Sequence, residues 1–252
     1  MRIAEIFRSI QGEGRLTGME SVFVRVSGCN LRCRYCDTPY ASWTPEGEDL
    51  SVDEILDRVE ELRDSPSPSF LTPIRAAGHV VSSSVGPVRH IVLTGGEPML
   101  FAELIPLTIR LRDQQWSMTI ETSGTLYLPV ACDLMSISPK LSNSTPSPEQ
   151  APRWASRHEY NRHASDVIRR LIAEYDYQLK FVIDSPEDCR EIDAYLAAFP
   201  EIQRNRVMFM PQGTDADALA KKGAWLESYC AAEGFLYCPR RQVEWFGTRR
   251  GR

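Results

Sequence analysis

Residues 28–37 read GCNLRCRYCD and place the thiols of Cys29, Cys33 and Cys36 within eight residues of chain. Three thiolates on one short loop can hold three irons of a cubane cluster and leave the fourth iron open to another ligand. A structural zinc ion instead needs four protein ligands, and the four histidines of the chain all lie far from this loop in the sequence. The spacing therefore favours an iron–sulfur cluster, with a zinc loop or three unrelated buried thiols as the alternatives.

Short β-rich runs alternate with helical stretches along the rest of the chain. After the first run, Ile55, Leu56 and Val59 recur at helical spacing, and Ser51 with Glu54 predicts a capping box at the start of that helix. Strands that alternate with helices indicate βαβ units and a parallel sheet, so the prediction is an α/β fold with the architecture of a partial (β/α)6 barrel. The six predicted strands are residues 21–26, 90–93, 118–120, 134–137, 179–183 and 207–210.

Length and composition fit a single domain that spans residues 1–252. Residues 65–87 and 141–153 are rich in Ser and Pro and are interpreted as inserted, mobile surface loops. The net charge of −5 argues against a nucleic-acid partner, and the basic run at residues 249–252 is expected to be a solvated terminus. No apolar run has membrane-spanning length and the start lacks a signal peptide, so we expect a cytoplasmic protein with reduced cysteines and no membrane partner.

Polar or glycine-rich segments directly follow five of the six predicted strands. In parallel α/β folds the active site lies at the carboxyl ends of the strands, so these segments are expected to converge on one cavity. Gly96 lets the backbone approach a ligand closely, and Glu97 can receive an ammonium group, although a tight strand-to-helix turn would use the same residues. The segments are residues 28–29 (GC), 94–98 (TGGEP), 121–124 (ETSG), 138–140 (SPK) and 211–213 (PQG).

Arg25 lies on the first predicted strand and alternates there with valines. If Val24 and Val26 face the covering helices, Arg25 points into the barrel, where an unpaired charge is costly. An anionic ligand would resolve this cost, because a guanidinium can bind a carboxylate through two parallel hydrogen bonds. An internal ion pair with Glu97 or Glu121 is the alternative.

Two motifs carry a resemblance to known families. The C-x3-C-x2-C spacing, with Tyr35 before its last cysteine, is similar to the radical S-adenosylmethionine (SAM) superfamily. Residues 7–14 read FRSIQGEG and are interpreted as a polar, glycine-rich loop. Followed by a strand and then by C-x3-C-x2-C-D-T, this motif resembles the 7-carboxy-7-deazaguanine synthase family. The matches run from Phe7 to Lys140 and resume at residues 238–247.

The resemblance implies a radical SAM barrel with an N-terminal substrate loop and a C-terminal cap. It implies a [4Fe–4S] cluster on the three cysteines, SAM on the unique iron, and Mg²⁺ on Thr38. The residues expected to contact SAM are Tyr35, Cys36, Asp37, Gly96, Glu97, Glu121, Ser138, Pro139, Lys140, Pro211 and Gln212. The residues expected to contact the substrate are Ile10, Gln11, Gly12, Glu13, Arg25, Thr94 and the terminal carboxylate of Arg252.

The implied reaction converts 6-carboxy-5,6,7,8-tetrahydropterin to 7-carboxy-7-deazaguanine with release of ammonia, a step toward deazapurines such as queuosine. The resemblance also implies a homodimer and reduction by flavodoxin or ferredoxin. A glycyl-radical-activating enzyme would share the cysteine spacing, but the loop at residues 11–14 argues against it. A non-enzymatic iron–sulfur or zinc scaffold is a third possibility, against which the open cluster site and the TGGEP segment argue.

Overall fold

The computed structural model describes residues 1–72, 74 and 87–251. In these residues nine strands form one sheet. The strands in chain order are β1 (Arg2–Ile10), β2 (Glu20–Val26), β3 (Glu48–Asp49), β4 (His90–Gly95), β5 (Ser117–Thr122), β6 (Leu134–Ile137), β7 (Tyr177–Ile183), β8 (Val207–Pro211) and β9 (Leu236–Tyr237).

The sheet has the order β3-β1-β2-β4-β5-β6-β7-β8-β9. The six predicted strands are β2 and β4 to β8, and all of them pair in parallel in the predicted sequence order. Strand β9 extends this parallel set, whereas β1 and β3 add an antiparallel edge at the other side. The sheet stays open, as the predicted partial barrel requires.

Helices cover the outer face of the parallel strands. Ser51 accepts a hydrogen bond from the Glu54 N–H and donates its own N–H to the Glu54 carboxylate, which confirms the predicted capping box. None of the helices in the described part of the chain combines the length and apolarity that crossing a membrane requires. The helices are α1 (Pro39–Ser42), α2 (Val52–Arg63), α3 (Leu104–Asp113), α4 (Ala155–Arg162), α5 (Ser165–Glu174), α6 (Pro186–Ala197), α7 (Ala216–Glu233) and α8 (Arg241–Phe246).

The two faces of the parallel sheet differ in chemistry. Val22, Val24 and Val26 are fully buried and belong to the main hydrophobic core under the helices. Because side chains alternate along a strand, Arg25 points to the opposite face, as predicted. Lys180 does the same on β7, so the inner face of the sheet carries charged and polar groups.

The N-terminal motif is only partly a loop. Residues 7–10 belong to β1 and pair with β2, so the loop begins at Gln11 rather than at Phe7. Strand β1 was not predicted because the alternation of apolar residues along it is interrupted. In the structure, its pairing register with β2 shifts between Ile3 and Glu5. Strand β1 therefore places residues 7–10 of the motif beside β2, the first of the parallel strands.

The two predicted insertions have different outcomes. Most of residues 65–87 lies outside the described residues. In residues 141–153, by contrast, Leu141 and Ser144 are buried, so this segment is packed against the protein and is not a simple surface loop. The unpredicted helix α4 follows it directly.

Candidate functional site

A cavity of about 330 Å³ lies at the carboxyl ends of the parallel strands. Its volume falls within the range of ordinary small-molecule sites. Of the predicted site residues, Glu97, Pro139 and Pro211 do not line it, and Arg252 lies outside the described residues. The predicted residues that do line it are Ile10, Gln11, Gly12, Glu13, Arg25, Cys29, Cys33, Tyr35, Cys36, Asp37, Thr38, Thr94, Gly96, Glu121, Ser138, Lys140 and Gln212.

The loop after β2 presents the thiols of Cys29, Cys33 and Cys36 to this cavity. Burial raises the pKa of the Cys29 thiol to about 12 and that of the Cys33 thiol to about 11. These thiols therefore keep their protons unless a metal ion replaces them. The Leu31 N–H donates to Cys29 Sγ at 3.4 Å, and Ser42 Oγ lies 3.0 Å from Cys36 Sγ.

This donor set fits an iron–sulfur cluster. Three thiols of one loop face a common cavity, and the thiolate is the ligand that such clusters use. Among the described residues, no three His, Cys, Asp or Glu side chains are grouped around a single metal ion. A cubane does not need such a group, because each of its cysteines binds a different iron.

The TGGEP segment after β4 packs directly against the cysteine loop. Gly96 has no room for a side chain, since a Cβ there would lie 2.0 Å from the Gly28 carbonyl oxygen and 2.5 Å from that of Ala41. The Glu97 N–H donates to the Gly28 carbonyl at 2.8 Å. The absence of a side chain at Gly96 therefore lets the two ligand-facing loops pack against each other, in addition to the predicted role of Gly96 beside SAM.

Glu97 is fully buried and already satisfied by neighbouring groups. The Thr122 hydroxyl and the Met99 N–H donate to Oε1 at 2.7 and 3.1 Å. The N–H and the hydroxyl of Ser123 donate to Oε2 at 2.9 and 2.5 Å. Ser123 lines the cavity and Glu97 does not, so Ser123 separates the Glu97 carboxylate from the cavity. The contact of Glu97 with an ammonium group stays a prediction.

A buried ion network forms the floor of the cavity. Lys180 Nζ lies 2.9 Å from Glu13 Oε2 and 3.3 Å from Glu121 Oε1, and Arg240 Nε lies 3.4 Å from Glu13 Oε1. Burial alone would raise the pKa of Glu13, but the two cations outweigh it and lower the pKa to about 2. Burial opposes the charge on Lys180, yet Glu121 and Glu13 raise its pKa above the ordinary value. Glu13 and Lys180 are therefore both charged at neutral pH.

Glu121 also organises the polar groups above this network. Gln11 Nε2 donates to Glu121 Oε1 at 3.2 Å, and the Thr94 hydroxyl donates to Oε2 at 2.8 Å. An amide, a hydroxyl and carboxylates side by side offer both donors and acceptors. Such a surface suits a heterocycle whose edge carries both kinds of group.

Arg25 has an internal partner, but not one of the two considered from the sequence. Its Nε donates to Glu5 Oε2 at 3.0 Å, and the Tyr40 hydroxyl donates to the same oxygen at 2.9 Å. Neither Glu97 nor Glu121 pairs with it, because both are engaged elsewhere. Within the described part of the chain, its terminal nitrogens have no hydrogen-bond partner. The stacked rings of Phe7 and Phe23 line the cavity beside it.

Comparison with known proteins agrees with this geometry. The sequence model of the radical SAM superfamily matches residues 23–175. The 7-carboxy-7-deazaguanine synthase of Rhodopirellula baltica is 41% identical over 250 residues, which covers 99% of this chain and 88% of that protein. The enzyme of that name from Halobacterium salinarum is 37% identical, with 96% and 88% covered. The chain belongs to the 7-carboxy-7-deazaguanine synthase family.

A solved structure supports the same fold for this family member. The crystal structure of QueE from Escherichia coli superposes with a TM-score of 0.59 at 24% sequence identity, covering 95% of this chain and 93% of that one. Membership of the radical SAM superfamily implies a [4Fe–4S] cluster and SAM. Superfamily membership argues against the non-enzymatic scaffold, and the similarity to 7-carboxy-7-deazaguanine synthases argues against the glycyl-radical-activating enzyme.

Tyr35, Ser138 and Lys140, which are expected to contact SAM, line the cavity between the cluster loop and the end of β6. Lys140 Nζ donates to Ser138 Oγ at 2.7 Å, and the Tyr35 hydroxyl donates to Asn143 Oδ1 at 3.1 Å. Thr38 also lines the cavity, and its hydroxyl lies 3.9 Å from Cys36 Sγ. One hydroxyl next to open space fits Mg²⁺, which takes few protein ligands and fills its shell with water and substrate.

Sequence reasoning missed several residues of this family member's site. Lys180 gave the same signal as Arg25, a lone charge inside an apolar strand, and could have been found by the same argument. Arg240 and Gln242, which bind Glu13, gave no such signal because their partner is more than two hundred residues away. The remaining cysteines, at positions 132, 189, 230 and 238, are free thiols that do not line the cavity.

Proposed function

We propose that this protein converts 6-carboxy-5,6,7,8-tetrahydropterin to 7-carboxy-7-deazaguanine with release of ammonia, a step of deazapurine and queuosine biosynthesis. One observation carries the proposal. A single cavity joins the three cysteine thiols to an arginine, an ion network and a set of hydrogen-bonding groups. Family membership supports the same reaction.

The cluster and SAM, when bound, supply the one-electron chemistry that removes a hydrogen atom from the substrate. The chain's own part is to hold both reactants and exclude water. Cys29, Cys33 and Cys36 would hold the cluster. Contact with SAM is proposed for the residues expected from the sequence, among which Tyr35 and Lys140 line the cavity.

Arg25 is proposed to bind the substrate carboxylate. Its Nε is fixed by Glu5, so the two terminal nitrogens are left to form the paired hydrogen bonds that a carboxylate accepts. The Phe7 and Phe23 rings provide an apolar wall for a flat ring beside that contact. Glu5 thus orients the guanidinium while the substrate completes its coordination.

The pterin ring is proposed to contact the group formed by Gln11, Glu13, Thr94 and Glu121. The amide and hydroxyl of this group can donate hydrogen bonds, and its carboxylates can accept them from the N–H groups of a pterin. Lys180 pairs with both carboxylates and helps to lower the pKa of Glu13, so Glu13 acts as an acceptor at neutral pH. Thr38 would provide one oxygen ligand to Mg²⁺, with the substrate and water completing the shell.

Further parts of the proposal do not rest on contacts between residues of the cavity. They are a homodimer, reduction by flavodoxin or ferredoxin, and a cytoplasmic location. A contact between the Arg252 carboxylate and the substrate also belongs here, since the neighbouring cap residues Arg249 and Arg250 lie at the cavity rim.

Anaerobic turnover of the reconstituted protein tests the proposal. The mixture contains SAM, Mg²⁺, dithionite and 6-carboxytetrahydropterin, and 7-carboxy-7-deazaguanine is detected by mass spectrometry. Cys33→Ala should abolish the product, whereas Cys132→Ala, at a cysteine outside the cavity, should retain it. SAM cleavage without product would reject the pterin substrate, and no cleavage by a fully clustered protein would reject the radical reaction.

A further inference from the structure

A segment without a role in the proposed reaction holds the cluster loop from outside. We call residues 141–162, which comprise the second insertion and α4, the brace. The Arg34 N–H donates to the Ser144 carbonyl at 2.9 Å, and Asn161 Nδ2 donates to the Asn30 carbonyl at 3.1 Å. The brace therefore binds the main chain of the cluster loop at two separate points.

His158 makes the central contact of the brace and is fully buried. The Arg32 N–H donates to its Nδ1 at 3.0 Å, and its Nε2 lies 2.9 Å from Ser144 Oγ. A main-chain N–H can only donate, so Nδ1 carries no proton. Ser144 Oγ donates to the Leu141 carbonyl at 2.7 Å, so Nε2 carries the ring's proton and donates to Ser144. The ring is neutral and links the two segments.

Arg32 is held by its side chain as well as by its amide. Its guanidinium lies over the Trp154 ring at 4.0 Å, a favourable cation–π distance. The same guanidinium donates to the Cys29 carbonyl at 2.8 Å. The brace thus fixes both the middle of the cysteine loop and the residue that bears its first thiol.

We propose that His158 is a positioning residue that fixes the cluster loop through the Arg32 amide, so that Cys29 and Cys33 are held in place for the cluster. Ordering a loop costs conformational entropy, and a loop that is already fixed loses less of it when a ligand binds. Removal of the contact should therefore loosen the cluster while the barrel stays folded. This inference goes beyond the proposed reaction and does not depend on the substrate.

Two substitutions separate positioning from packing. His158→Asn places an amide oxygen near the Nδ1 position, so it keeps the bond from Arg32 and loses the bond to Ser144. His158→Phe fills the space and loses both. We expect the Phe variant to release iron to a chelator about tenfold faster than the wild type, which is the effect of losing the one hydrogen bond from the Arg32 N–H. The Asn variant should stay within about twofold of the wild type.

The measurement uses the anaerobically reconstituted protein without any pterin. Iron release is followed by chelator absorbance, EPR of the reduced cluster reports its surroundings, and hydrogen exchange reports protection of the Arg32 amide. We expect weaker amide protection and an altered EPR signal in His158→Phe alone. Wild-type iron release from the Phe variant, or equal release from both variants, would overturn the proposal.

A second position keeps the test decisive if His158→Phe does not fold. Asn161→Ala removes the bond to the Asn30 carbonyl from a partly exposed helix position and should also speed iron release. Tyr160→Ala is the matched control, because this neighbour on α4 is 83% exposed. Wild-type iron release from Asn161→Ala would then contradict the brace.

Discussion

Replacing Lys180 by methionine is expected to destabilise the protein by about 3 kcal/mol, since breaking a buried ion pair leaves an uncompensated charge. Lys180 is buried at the floor of the cavity, where it contacts Glu13 at 2.9 Å and Glu121 at 3.3 Å. The substitution keeps the length of the side chain and removes its charge. Arg240 still faces Glu13 in the variant, so the loss of electrostatic stabilisation is larger for Glu121 than for Glu13.

The pKa of Glu13 shows the size of the electrostatic effect that both neighbouring cations have together. Lys180 and Arg240 together lower it from 4.5 to about 2 against the opposing effect of burial. Each unit corresponds to about 1.4 kcal/mol, so the ionised network stabilises the fold by about 3 kcal/mol. Because the pKa is lowered, this contribution is present above pH 4.5 and is lost as the pH falls toward 2. The raised pKa of Lys180 makes its own contribution present below its ordinary value of 10.5.

Calorimetry of the reconstituted enzyme at pH 7 under argon measures the effect. A loss of about 3 kcal/mol should lower Tm by about 6–12 °C in a chain of this size. Adding Glu121→Gln to the variant should restore part of the loss, because it removes a carboxylate left without its cation. The matched control is Arg58→Met, which breaks an exposed pair with Glu48 and should leave Tm unchanged. A fall of less than about 2 °C for Lys180→Met would refute the reasoning.

Three further predictions concern single positions. Arg25→Lys should raise the KM for the pterin about tenfold or more with little change in kcat, because lysine cannot bind a carboxylate through a planar pair of donors; steady-state kinetics measure this. Gly12→Ala would place a Cβ 2.6 Å from the Gln242 main-chain nitrogen, so calorimetry should show a loss of about 1–3 kcal/mol as the cap shifts. Thr38→Ala should raise the Mg²⁺ concentration for half-maximal turnover about tenfold, and an unchanged Mg²⁺ titration would contradict the assigned ligand.

The parts of the fold that could be predicted are those that depend on local pattern. The six parallel strands have apolar runs of their own, and the segments after them fall at one edge of the sheet because parallel strands share a direction. The orientation of Arg25 followed from strand alternation alone. The cysteine loop needed only its spacing.

The parts that could not be predicted depend on contacts between distant segments. Glu13 forms an ion pair with Arg240, which lies near the other end of the chain. Arg25 pairs with Glu5 across the antiparallel β1–β2 pairing, and the sequence of β1 did not predict that strand. Residues 141–153 have the composition of a solvated loop, yet they pack on the cluster loop because a buried histidine in the next helix binds both segments. Composition describes a segment's preference for water and does not reveal such a partner.

The charges around the cavity explain why the C-terminal cap belongs to the site. Arg25, Lys180 and Arg240 already face carboxylates of the chain, so they alone give a cavity with little attraction for another anion. The tail, which the sequence suggests is merely solvated, brings Arg249 to the rim, whereas Arg250 there pairs with Glu46 at 2.9 Å. Exposed cations at a cavity entrance raise the local concentration of anionic ligands without the cost of burying a charge. In the proposed reaction, Arg249 at the rim would raise the association rate of a carboxylated substrate, and Arg25 inside the cavity would contribute to its affinity.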